Sequence, residues 1–114
     1  METTGLPYTA DPLVRAVVEQ VVAEADPLRV VLFGSRATGT ARPDSDVDLS
    51  VVMPDGTDRR AARTRIGSRL RRPGVGIDLL VTTPAVLAAS GDDPGPIYRT
   101  VLRTGREIYA TARA

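Results

Sequence analysis

Leu28-Arg29-Val30-Val31-Leu32-Phe33-Gly34-Ser35 opens the stretch that decides the fold, and ten residues later it is answered by Asp46-Val47-Asp48-Leu49. Leu28 to Phe33 is a short apolar run rich in branched side chains, which predicts a buried strand. Gly34-Ser35 closes it. Residues 36–45 predict a short helical turn followed by a loop, with Gly39 and Pro43 as breakers. Val47 to Met53 predicts a second strand, stopped by the turn Pro54-Asp55-Gly56.

Upstream, Asp11-Pro12 marks a helix start, an N-cap with proline at the first helical position. Val14, Val17, Val18 and Val21 follow with helical spacing, and Asp26-Pro27 ends the helix. Downstream, residues 58–72 predict a second main helix with one apolar stripe, Ala62, Ile66 and Leu70, that ends at Pro73-Gly74. Val75 to Val81 predicts a third strand. Thr83-Pro84 starts a short helix to about Ser90, residues 91–96 form a loop, Ile97 to Arg103 a last helix, and Glu107 to Ala110 a short final strand. This order predicts a single α/β (α+β) domain over residues 1–114 with its core at about 12–110, built as a small mixed β-sheet flanked by helices.

Composition narrows the chemistry. Neither cysteine nor histidine occurs in the 114 residues. Disulfides, zinc sites of the Cys/His kind and Ser–His or Cys nucleophiles are excluded. A metal would be held by oxygen, which favours Mg²⁺, Mn²⁺ or Ca²⁺. Acid–base work near neutral pH falls to carboxylates. There is no apolar run of membrane-spanning length and no secretory pattern at Met1-Glu2-Thr3-Thr4, so a cytoplasmic protein without membrane contact is expected. All fifteen basic residues are arginine and the net charge is only +1. The arginine preference reads as the codon bias of a GC-rich genome. Residues 58–72 nevertheless carry seven Arg against one Asp. Few aromatics accompany them, which argues for a solvated face or a docking surface for an acidic partner, and against direct nucleic-acid binding.

Asp46 and Asp48 are two apart on a strand, so both carboxylates project to one side. Two such charges side by side face water or share a cation. Asp78 interrupts the apolar run Val75-Gly76-Ile77-Asp78-Leu79-Leu80-Val81, where a buried carboxylate needs an arginine partner or a metal. If the second and third strands are neighbours, the three carboxylates converge into an oxygen cage for one or two Mg²⁺. At the other end of the gap, Gly34 lets backbone N–H groups approach an anion, while the Ser35 hydroxyl and the Arg36 guanidinium can each reach a phosphate oxygen. The plain alternative is that Ser35 caps a helix.

The spacing Gly34-Ser35, ten residues, Asp46-Val47-Asp48 resembles the signature of the DNA polymerase β-like nucleotidyltransferase superfamily. Phe33-Gly34-Ser35-Arg36-Ala37-Thr38-Gly39 and Pro43-Asp44-Ser45-Asp46-Val47-Asp48-Leu49 are similar to its minimal nucleotidyltransferase (MNT) branch, and Thr104-Gly105-Arg106-Glu107-Ile108-Tyr109 resembles the usual MNT ending. The resemblance implies a nucleotidyltransferase fold in which Gly34 and Ser35 bind the phosphates of a nucleoside triphosphate and Asp46 and Asp48 ligate Mg²⁺. Asp78 would complete the second metal site or take the acceptor's proton. MNT proteins like this one are commonly the antitoxin half of HEPN–MNT toxin–antitoxin pairs. The resemblance therefore implies transfer of AMP from ATP to a tyrosine of a HEPN toxin. The short chain leaves no predicted acceptor-binding lobe, which points to an acceptor on another molecule. Two other readings stand beside it: a non-catalytic module that sequesters its partner, and an aminoglycoside-type small-molecule nucleotidyltransferase.

Overall fold

The computed structural model describes residues 11–70, 74–89 and 105–111. Helix α1 (Pro12–Ala25) begins where expected: the Asp11 carboxylate accepts from the backbone N–H of Leu13 and Val14, meeting two of the donors that a helix start leaves free. It ends on Asp26, which adopts the left-handed conformation and returns its N–H to the Val22 carbonyl. Val14, Val17, Val18 and Val21 are fully buried, each worth roughly 1.5–3 kcal/mol over an exposed side chain.

Strand β1 (Arg29–Phe33), the single turn α2 (Ser35–Thr38) and strand β2 (Val47–Val52) follow. After them come helix α3 (Arg59–Arg69), strand β3 (Ile77–Thr82), helix α4 (Pro84–Ala89) and strand β4 (Arg106–Ala110). The four strands form one sheet in the order β3-β2-β1-β4. β1 runs antiparallel to both β2 and β4, whereas β2 and β3 are parallel and joined through α3, the helical crossover that a parallel pair requires. The expected mixed sheet is therefore present.

Alternation along the strands separates the two faces. Val30, Leu32, Val47, Leu49, Val51, Leu79 and Val81 join the buried valines of α1 and Ala62 and Ile66 of α3 in one core. Asp48, Ser50, Val52, Asp78 and Leu80 have the opposite parity and lie on the other face.

Two boundaries differ from the sequence reading. Helix α3 stops at Arg69, because Leu70 turns to an extended conformation and bonds Gly67 three residues back. β3 starts at Ile77 rather than Val75. The expected helix at Ile97 to Arg103 lies outside the described residues. No helix among the described residues is long and apolar enough to cross a membrane.

Candidate active site

The end of β1, the middle of the sheet and the start of β3 meet in one row. Phe33 of β1 is the register partner of Asp48 of β2, and Asp48 is the register partner of Asp78 of β3. The parallel pairing of β2 and β3 therefore sets two carboxylates side by side, as expected for neighbouring strands. They share a hydrogen bond. Burial first, then that bond and the negative charges of Asp78 and Asp46, push the Asp48 carboxyl up from 3.8 to about 6. Proximity of like charges in a half-buried setting favours the protonated form of one of them.

Asp46 stands one step before β2, exposed, against the backbone of Gly76 just ahead of β3. A Cβ built on Gly76 would lie 2.5 Å from Asp46 Oδ1, so the missing side chain at Gly76 is what lets this carboxylate rest there. The sequence reading passed over Gly76. The signal available was a glycine inside an apolar strand run, which often marks a close approach. Among the described residues no three acidic side chains are already gathered around a common ion position. The arrangement is a pair, Asp48 and Asp78, with Asp46 beside it and close enough for its charge to act on Asp48.

Asp78 departs from its expected surroundings. A core strand would bury this carboxylate; it is exposed, because β3 is the edge strand and Asp78 stands near its start on the face opposite the core. No arginine among the described residues forms an ion pair with it, so the structural salt bridge considered for it is not found there.

Gly34 follows Phe33 directly and brings the next turn against Asp48. Its backbone, φ 76° and ψ −161°, lies in a region that essentially only glycine occupies. A Cβ there would overlap Asp48 Oδ2. Gly34 itself is the N-cap of α2, so Ser35 does not cap the turn. Ser35 is its first helical residue, and its hydroxyl has no partner among the described residues.

Arg36 requires a correction. Expected to reach a phosphate oxygen, its guanidinium is turned back onto the protein, and the side chain is 6% exposed. Nη1 donates to Asp11 Oδ2 at 2.9 Å, Nε to the Ser45 carbonyl at 3.0 Å, and Nη2 to the carbonyls of Pro43 at 3.0 Å and Arg42 at 3.4 Å. The fork supplies donors to the carbonyls of Pro43 and Ser45 and a longer contact to that of Arg42, which also accepts from the Ser45 N–H. Arg36 therefore ties the start of α1 to the loop that delivers Asp46. It positions the site and does not offer itself to a ligand.

On the same sheet face a cleft of about 440 Å³ runs beside Val31, Ser50, Val52 and Leu87, with Arg29 and Glu107 paired at 3.8 Å on its rim.

The raised Asp48 carboxyl has a sign that can be measured. Its native pKa of about 6 exceeds the ordinary 3.8, so the native protein keeps a proton that the unfolded chain releases. The stabilisation is complete below the unfolded value and is lost as pH rises through about 6. In EDTA, Asp48→Asn is therefore expected to melt higher than wild type at neutral pH, and the gap should close as pH falls through this window. Thermal melts of both proteins across the window check this; a gap that does not change with pH would sever Asp48 from the shift.

Comparison with known proteins agrees with this geometry. The model of the nucleotidyltransferase domain family matches residues 14–111. No curated protein matches the chain in sequence. Among solved structures, a candidate nucleotidyltransferase from Sulfolobus solfataricus is 26% identical, with a TM-score of 0.54 over 83% of this chain and 75% of its own. A toxin–antitoxin complex with AMP-PNP is 22% identical, with a TM-score of 0.54 over 86% of this chain and 74% of that one. A mutant of the toxin–antitoxin pair MntA–HpeT is 18% identical, with a TM-score of 0.55 over 88% and 75%. With nearly the whole chain matched and the carboxylates aligned beside the Gly34-Ser35 turn, the chain belongs to the nucleotidyltransferase domain family.

Proposed function

We propose that this chain moves AMP from ATP to a protein acceptor, a tyrosine of a HEPN-type toxin for which it serves as antitoxin. One observation carries the transfer reading: Asp48 is held in register with Asp78 on one side and abuts Gly34 on the other. Phosphate binding and carboxylate chemistry thus fall within one side chain's reach. The likeness in fold to a toxin–antitoxin complex described with AMP-PNP supports ATP as donor and a protein as partner.

The donor set fits a divalent cation. All of it is carboxylate oxygen, and in Asp48 the ionised form is disfavoured until an opposite charge arrives. Asp46 and Asp48 would hold Mg²⁺, with Asp78 completing the set. When bound, the ion supplies positive charge that offsets the charge developing on the transferred phosphoryl group.

The chain's own groups do the rest. The Ser35 hydroxyl donates to a phosphate oxygen, and Gly34 leaves room for the triphosphate over the free N–H groups that begin α2. Asp78 is exposed and faces the open side, where an acceptor enters. A tyrosine hydroxyl titrates near pH ~10 and must lose its proton to attack. Asp78 takes that proton as the tyrosine oxygen bonds to the α-phosphorus. The bond from the α-phosphorus to its bridging oxygen breaks, and pyrophosphate leaves.

Intact-mass spectrometry of the adjacent gene's product, incubated with this protein, ATP and Mg²⁺, tests the reading. The expected result is the added mass of one or more AMP units, absent when Asp48→Asn replaces wild type. An acceptor whose mass never changes although a tight complex suppresses its activity would make sequestration the mechanism.

A further inference from the structure

Asp46 is fastened through its backbone on both sides. The carbonyl of Ser45, in the peptide group before it, accepts from Arg36 Nε at 3.0 Å. The N–H of Val47, in the peptide group after it, donates to the Gly76 carbonyl at 2.9 Å. The turn that leads in is closed on itself: Ser45 donates its N–H to the Arg42 carbonyl and accepts the Arg42 N–H on its hydroxyl at 2.8 Å. Among the described residues no hydrogen bond or ion pair holds the exposed Asp46 carboxylate. Its direction is set by the backbone and by the room left at Gly76.

The first of these fastenings runs back to residue 11. Asp11 divides its carboxylate: Oδ1 accepts from the N–H groups of Leu13 and Val14 and so caps α1, while Oδ2 accepts from Arg36 Nη1 at 2.9 Å. The Arg36 side chain is 6% exposed. A guanidinium so far out of water needs an anion beside it, and a charge-assisted bond at this distance is a strong one. The planar fork reaches Asp11, Pro43 and Ser45 at once, which an ammonium on a flexible stem does not reproduce. One carboxylate thus couples the start of α1 to the residue just ahead of Asp46.

We infer that Asp11 is a positioning residue of the cation site. Through Arg36 it presets Asp46 for the ion before any ligand arrives, and Gly76 keeps open the space into which that carboxylate projects. The inference rests on the cation reading given above. A preset ligand binds more tightly because less ordering accompanies binding, and groups standing behind metal ligands commonly contribute about ten- to a hundredfold in affinity.

Asp11→Asn keeps a capping oxygen for α1, since asparagine caps as well as aspartate, but sets an amide N–H against the Arg36 donor. Gly76→Ala places a Cβ 2.5 Å from Asp46 Oδ1 on a backbone that is not left-handed, so the carboxylate must move while the strand bears no backbone strain. Asp58→Ala removes the side-chain cap of α3 and controls for lost helix capping. Mn²⁺ alone is the probe, titrated without nucleotide and followed by electron paramagnetic resonance. Asp11→Asn and Gly76→Ala are each expected to bind Mn²⁺ about tenfold or more weakly than wild type, and to regain most of the wild-type transfer rate at saturating Mn²⁺. Asp58→Ala should melt lower and bind Mn²⁺ as wild type does. Wild-type Mn²⁺ affinity in Asp11→Asn overturns the inference. So does an equal loss in Asp58→Ala, which would make the effect one of stability. A wild type that binds no more Mn²⁺ than Asp46→Asn removes the cation reading itself, and the inference with it.

Discussion

Asp48→Asn is expected to give a folded protein that transfers nucleotide about a thousandfold more slowly than wild type, a loss of roughly 4 kcal/mol of transition-state stabilisation. The fold should survive because Asp48 forms no ion pair among the described residues and sits among like charges, which the amide relieves. Chemistry should not survive, because the substitution removes an anionic oxygen at the centre of the row formed by Phe33, Asp48 and Asp78. The measurement is the initial rate of labelled AMP incorporation at saturating Mg²⁺ and ATP. A rate equal to wild type would remove Asp48 from the reaction. A rate lost together with the near-ultraviolet signature of the fold would make its role structural.

Gly34→Ala is expected to have the second-largest effect, and to act on binding. The new Cβ would overlap the Asp48 carboxylate, so that carboxylate must swing away from its place between Gly34 and Asp78. The backbone at φ 76° adds strain, on the order of 1–3 kcal/mol. Calorimetry should therefore show Mg²⁺–ATP affinity lost, with a lowered melting temperature. Gly39→Ala is the control. Its φ of 83° also favours glycine, yet among the described residues nothing lies within 4 Å of the position a Cβ would take. It should cost about 1 kcal/mol of stability and leave nucleotide binding intact. Equal loss of binding in both variants would mean that backbone strain, and not the contact with Asp48, governs the site.

The elements announced themselves where one residue carries an unambiguous local signal. Asp11-Pro12 begins α1, four valines at helical spacing are all buried beneath it, and the turn after Val52 stops β2. Gly34-Ser35 and the two aspartates stand out because their spacing resembles a family signature, and separation along one chain is visible in the sequence. What depends on pairing between distant segments was less visible. Asp78 is expected near the pair only if β2 and β3 are neighbours, which the structure shows them to be, whereas its exposure is not legible. An apolar run looks the same in a central strand and in an edge strand, and only the order β3-β2-β1-β4 makes β3 an edge. Arg36 misled because a guanidinium beside a phosphate turn and one folded back under a loop have the same sequence. The carbonyls of Pro43 and Ser45 decide between them, and no local pattern marks a carbonyl that takes its donor from a distant side chain. Gly76 was missed because its function is to lack a side chain where Asp46 lies.

On the proposed function, Asp46, Asp48 and Asp78 form a cation and triphosphate site beside Gly34-Ser35. The most direct measurement is a crystal structure of the protein with Mn²⁺ and a non-hydrolysable ATP analogue, read in the anomalous difference map. The expected map places an ion against Asp46 and Asp48, replaces the hydrogen bond between Asp48 and Asp78, and lays the triphosphate over Gly34 and Ser35. A map in which the ion and phosphates bind elsewhere, with the Asp48–Asp78 hydrogen bond intact, would contradict it.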